Sequence, residues 1–128
     1  NCVFIEGELV GVFDFDFAHP GPRLWDLAYA LYRFAPLADP RACEGFGTPT
    51  EQARRMRIFC DAYGLADRTN VLNMVRDRVQ SMIDFLLEGL KAQDARRIAA
   101  VEGGHLRIYQ LDLAYLEQHR AELESGLR

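Results

Sequence analysis

One break divides this chain into two kinds of structure. His19-Pro20-Gly21-Pro22 continues neither a strand nor a helix, because each proline lacks an amide donor and restricts the residue before it. Before the break, Cys2–Ile5 and Leu9–Phe17 are β-branched and aromatic runs separated by Glu6-Gly7-Glu8. Gly7 is free to take positive φ, so the three together read as a β-hairpin. After the break the apolar period becomes helical. Leu24, Leu27, Ala28, Leu31 and Ala35 share one helix face, and Pro36 and Pro40 end that helix and open an irregular connection through Gly47.

Thr48-Pro49-Thr50-Glu51 is a start signal: a capping threonine, a proline at the first helical position and a glutamate completing a capping box. The helix it opens runs to about Tyr63, with Gly64 as its stop. Asp67 is expected to cap the next and longest helix, whose buried stripe is Val71, Val75, Val79, Met82, Leu86 and Leu90, ending near Ala92. A short helical piece follows from Asp94 to Val101, broken by Gly103-Gly104. A last helix carries Leu106, Tyr109, Leu113 and Leu116 on one face and tails off near Ser125-Gly126. The expected fold is α+β and mostly helical, a β-hairpin followed by a helical bundle. It forms one domain over residues 1–128, with a hairpin segment at 1–17 and a helical part at 23–128.

A net charge of −4 offers nothing to a nucleic acid, whose binding needs a basic patch. Cys2, Cys43 and Cys60 are odd in number and widely spaced, and they show no paired-cysteine or cysteine–histidine spacing. That argues against a disulfide framework and a structural zinc site. No apolar run reaches membrane-spanning length and no signal peptide is present. The reading is a reduced, cytoplasmic chain with no membrane partner. Because it starts Asn-Cys-Val-Phe-Ile, without Met and already strand-like, it also reads as a piece of something longer.

Carboxylates set inside apolar sequence are the unusual feature. On a strand Asp14 and Asp16 point to one side while Phe13, Phe15 and Phe17 point to the other. This pattern fits a half-buried strand with a polar outer face, and it equally fits a site for a hard cation such as Mg²⁺. Asp26 lies among Leu24, Trp25, Leu27, Ala28 and Tyr29, so it is expected to be buried and therefore hydrogen-bonded. It would either serve the helix end or brace another backbone segment.

The stretch GVFDFDFAHPGPRLWDLAYAL, Gly11 to Leu31, resembles the metal-binding segment of the aminoglycoside phosphotransferase and choline kinase-like family, which shares its catalytic lobe with the protein kinases. The resemblance implies a C-terminal lobe in which Asp14 binds Mg²⁺ and Asp26 holds the catalytic loop through backbone hydrogen bonds. Asp16 has no fixed role and is placed as a possible neighbour of the metal. The family's catalytic loop reads His-x-Asp-x-x-x-x-Asn and leads into a strand. Asn1-Cys2-Val3-Phe4-Ile5 matches its end, so Asn1 is implied as the second Mg²⁺ ligand.

The catalytic Asp expected upstream of Asn1, the phosphate-covering loop and the ATP-pairing lysine are not in this chain. The implied activity is ATP- and Mg²⁺-dependent phosphorylation of a small-molecule hydroxyl, on an aminoglycoside-like or amino-alcohol substrate. The 128 residues alone are expected to be inactive. The alternative is a non-catalytic kinase-like binding module.

On the longest helix Asp77, Ser81, Asp84 and Glu88 fall at i, i+4, i+7 and i+11, an acidic stripe. It is a candidate surface for a cationic substrate, although a plain solvated face would sit in the same place. Trp25, Tyr29 and Tyr32 read as core rather than as a stacking platform, and His19 reads as a solvated loop residue. Cys43 and Cys60 lack the basic surroundings of an activated thiol. A hairpin without sheet neighbours would leave edges and apolar surface open, so self-association is expected.

Overall fold

The computed structural model describes residues 1–14, 20–41 and 45–127. Strands β1 (Cys2–Ile5) and β2 (Glu8–Val12) form an antiparallel hairpin. Its turn has positive φ at both Glu6 (51°) and Gly7 (86°), the backbone hand that matches strand twist in a two-residue connection. Cys2 lies opposite Val12 and Val3 opposite Gly11, after which the register shifts so that Phe4 meets Leu9 and Ile5 meets Glu8.

Strand β2 stops at Val12 rather than continuing to Phe17. Asp14 has φ 68°, a left-handed conformation that leaves the extended ladder. Asp14 is thus not part of the strand, and the expected continuation over Phe15–Phe17, with Asp16, lies outside the described residues, as do His19 and Cys43.

Among the described residues six helices follow the hairpin: α1 (Arg23–Phe34), α2 (Pro49–Tyr63), α3 (Val71–Lys91), α4 (Ala95–Glu102), α5 (His105–Gln118) and α6 (Arg120–Leu127). The expected hairpin-then-helices architecture is the one observed. At Thr48 the capping box forms in full: Thr48 Oγ1 accepts from the Glu51 amide, and Glu51 Oε2 accepts from the Thr48 amide at 2.7 Å. Gly64 closes α2 at φ 76°, as a left-handed C-terminal residue should. Asp67 does not cap α3. Its Oδ1 accepts from the amide and hydroxyl of Thr69, at 3.0 and 2.7 Å, and α3 begins after Asn70. The short carboxylate finds its partner two residues on and is spent in the turn.

The core gathers Leu27, Leu31, Leu37, Met56, Val75 and Leu123 among its buried residues. It lies where α1 packs on α3, α3 on α5, and α2 on α6. Gln52, fully buried on α2, donates from Nε2 to the Ala38 carbonyl at 2.8 Å and to the Gly47 carbonyl at 3.3 Å. It thus pins the irregular connection between α1 and α2 by satisfying carbonyls that no helix uses. Among the described residues, no helix is long and apolar enough to cross a membrane.

The expected last helix is two helices. The chain turns at His119, and α6 then runs against α2 with Leu123 and Leu127 buried. Gly126 is not a terminator but a contact. A Cβ there would come within 2.6 Å of the Ala53 Cβ, which cannot swing aside because it is fixed to the α2 backbone. Gly126→Ala is therefore expected to destabilise the fold by about 1–3 kcal/mol, although alanine favours helix. Urea unfolding checks this, and a stabilised variant would show that α6 is not held against α2.

The hairpin stands apart from this core in exposure. Phe4 and Ile5 are 61% and 60% exposed, and Val3, Leu9, Val10, Val12 and Phe13 are exposed as well.

Candidate functional site

Antiparallel pairing fixes what meets at the open end of the hairpin. With Cys2 opposite Val12, Asn1 falls opposite Phe13, and the Phe13 amide donates to the Asn1 carbonyl at 3.0 Å. The left-handed Asp14 comes directly after. Asn1 Nδ2 donates to Asp14 Oδ2 at 2.7 Å, and both residues are exposed. Two residues thirteen positions apart thus form one polar pair at the hairpin's end. Aspartate tolerates positive φ better than most residues, yet still at a cost, and strain of this kind clusters where a side chain is aimed for a purpose.

The pair carries the donor chemistry of a hard-cation site: a carboxylate, and a side-chain amide whose Oδ1 is left for a ligand. Mg²⁺ is commonly held by one or two protein oxygens while keeping several waters, so these two residues fit it. Among the described residues, no group of three or more His, Cys, Asp or Glu converges on a point. A site rich in imidazole or thiolate, as zinc would want, is not formed by them.

Asp26 departs from expectation. It lies exposed in the first turn of α1, whose N-cap is Pro22, and it makes no hydrogen bond or ion pair to another described residue. The physical reason is helical geometry. Leu27, Ala28, Leu31 and Tyr32 form the buried side of α1, while Asp26 and Arg33, at i and i+7, share its solvent side. Apolar neighbours in sequence are not apolar neighbours in space.

Two of the three carboxylates of the α3 stripe, Asp77 and Asp84, are engaged locally. Asp77 pairs with Arg76 at 3.2 Å, Asp84 accepts from Gln80 at 2.9 Å, and Asp77, Asp84 and Glu88 are all exposed. No hydrogen bond joins them to Asn1 or Asp14. Cys60 is buried, and burial pushes its thiol pKa up, away from reactivity.

Two features escaped the sequence reading. Tyr32 donates its hydroxyl to Asp112 inside the core, where Asp112 is only 5% exposed. Burial, with the Asp112 carboxylate beside it, drives the Tyr32 pKa far up. Burial also raises that of Asp112, against the pull of the hydroxyl it accepts. Second, Arg78 of α3 lies over the rings of Trp25 and Tyr29 of α1. Helical period singles out neither Asp112 nor Arg78, since both depend on which helices pack together.

Comparison with known proteins bears on the first part of the chain. No curated protein and no solved structure matches it. Residues 1–59, from the hairpin through α1 and most of α2, match the model of the phosphotransferase enzyme family. Over those residues the chain is similar to that family, in keeping with the resemblance carried by Gly11 to Leu31.

Proposed function

We propose that this chain supplies the metal-binding end of an ATP-dependent phosphotransferase that acts on the hydroxyl of a small molecule. The observation that carries the reading is the Asn1–Asp14 pair, set within the segment that matches the family. Mg²⁺ bound there would neutralise nucleotide phosphates, the main electrostatic demand of phosphoryl transfer. Asp14 would hold the cation through its carboxylate. Asn1 now turns Nδ2 toward Asp14, so rotating its amide would present Oδ1 instead. Asp26, exposed at the start of α1, keeps a carboxylate ready to accept backbone amides of a catalytic loop. Asp16 is proposed as a neighbour of the metal, and the α3 stripe of Asp77, Asp84 and Glu88 as a surface for a cationic acceptor.

Mn²⁺, as a spectroscopic stand-in for Mg²⁺, tests the reading. Titrated into the chain with ATP, it should give the resonance of a protein-bound ion that excess Mg²⁺ removes. A free-ion spectrum throughout would remove the metal role and leave the kinase-like binding module as the better description.

The open hairpin suggests a second copy as partner. An isolated two-stranded sheet is marginal in water, and unpaired edges are templates for another strand. The exposed Phe4 and Ile5 would be covered by such pairing. Sedimentation should show a concentration-dependent dimer that Ile5→Lys abolishes, and a monomer at all concentrations would rule the association out.

A further inference from the structure

Five described arginines are half-buried: Arg55, Arg68, Arg78, Arg97 and Arg120. Four of them reach carbonyl or carboxylate oxygens. Arg55 donates to the carbonyls of Ala35 and Phe46, and Arg68 to Asp61 and the Leu65 carbonyl. Arg97 pairs with Asp94, and Arg120 with Glu117 and Glu124. Arg78 is the exception. Its Nη1 donates to Ser81 Oγ at 3.1 Å, and among the described residues it has no carboxylate or carbonyl acceptor.

The rest of its guanidinium is fixed but unused. Cζ lies 5.1 Å from the Trp25 ring centroid and 4.9 Å from that of Tyr29, so aromatic faces hold it by cation–π attraction. Ser81 Oγ, donating to the Arg78 carbonyl at 2.7 Å, anchors the Nη1 side. Nε is buried without a partner, and so is Trp25 Nε1. Nη2 likewise has no hydrogen-bond partner among the described residues. Nε and Nη2 form the edge of a guanidinium that binds a carboxylate or phosphate through two parallel N–H groups. Arg78 therefore leaves its bidentate edge unpaired among the described residues while its other side is tied down.

We infer that Arg78, backed by Trp25 and Tyr29, is a binding point for an oxyanion, a carboxylate or phosphate carried by a small-molecule ligand. A positively charged, preorganised fork without its acceptor is costly to enclose, and an arriving oxyanion would relieve that cost. Because Nε is buried, an anion reaches it only when neighbouring side chains shift, and Trp25 Nε1, also buried without a partner, would then serve as a third donor. Treating this ligand as the phosphate acceptor rests on the phosphotransferase reading, whereas the binding itself does not. The site selects for negative charge, the opposite of what the α3 acidic stripe would favour.

Trp25 is the only tryptophan in the chain, so its fluorescence reports on this site alone. The full chain is titrated with inorganic phosphate and, separately, with succinate, at constant ionic strength and without nucleotide or divalent metal. A saturable change in Trp25 emission is expected. Phosphate as the better ligand would indicate a phosphorylated compound, and succinate a carboxylic acid. Arg78→Gln should weaken binding by about tenfold or more. Arg78→Lys, which keeps the charge and the aromatic contact but loses the fork, should also weaken it about tenfold. No saturable change with either anion overturns the inference, as does a midpoint left unchanged in Arg78→Lys. Since no metal is present, failure here leaves the Asn1–Asp14 reading standing, and failure of that reading leaves this one.

Discussion

Tyr32→Phe is expected to cost about 3 kcal/mol of folding stability, far more than loss of an average hydrogen bond. The hydroxyl of Tyr32 on α1 donates to Asp112 on α5, and both residues are buried. Phenylalanine keeps the ring, and hence its contacts with Tyr29 and Tyr109, so packing is little changed. What disappears is the donor to a carboxylate that cannot turn to water. Asp112→Asn should cost far less, within about 1 kcal/mol, because its amide oxygen still accepts from Tyr32 and no charge is buried.

The same pair predicts a pH dependence of unusual sign. Burial raises the Asp112 pKa above its unfolded value, so the folded state binds this proton more tightly. Its contribution is fully present below about pH 4, the unfolded value, and is lost as pH rises through the folded pKa. Other carboxylates act oppositely. Asp39 is brought down to about 2 by its hydrogen bonds from Arg41. Glu51 is lowered by the Thr48 amide, Asp67 by the Thr69 hydroxyl and Asp94 by the Arg97 amide. Their contributions are present above about pH 4 and are lost on acidification through their folded values. Urea unfolding from pH 3 to 8 should show both limbs in the natural chain, and Asp112→Asn should lack the decline on the alkaline side. An unchanged slope in that variant, or a Tyr32→Phe cost of only a few tenths, would mean that Asp112 is effectively solvated.

What could be read from the sequence was what depends on near neighbours along the chain. The capping box at Thr48–Glu51 spans one turn, so its residues determine their own geometry. The valines of α3 repeat with the helix and are buried as expected. Errors arose where tertiary contact or backbone conformation decided. The end of β2 depends on the left-handed Asp14, while Phe15 and Phe17 gave a continuing strand signal. Gly126 carries the usual mark of a helix stop, yet it serves close packing against Ala53. The turn at His119 has no Gly or Pro to announce it. Of the candidate site, the family resemblance implied both Asp14 and Asn1 as metal ligands, while the residues alone left Asp14 open. Its meeting with Asn1 needed the hairpin register, and the surroundings of Arg78 needed α1 and α3 to pack.

Asp14 should separate function from stability, because substitutions there are expected to move the two in opposite directions. At φ 68° a side chain is strained and glycine is not. Asp14→Gly therefore loses the hydrogen bond from Asn1, an exposed contact of small net worth, and relieves the backbone. Its stability should be unchanged or up to about 1 kcal/mol higher. Asp14→Ala keeps the strain and loses the contact, so it should be the less stable of the two. Both remove the only carboxylate of the proposed metal pair. Affinity for Mn²⁺ in the presence of ATP should fall at least about a hundredfold, since even partners outside the ligand set cost roughly ten- to a hundredfold. Asp14→Asn, which retains an oxygen but not the charge, should lie between. Binding that survives Asp14→Gly would take the metal away from this pair. A glycine variant clearly less stable than the natural chain would mean that Asp14 is kept to hold the hairpin end together, with its carboxylate serving Asn1 rather than a cation.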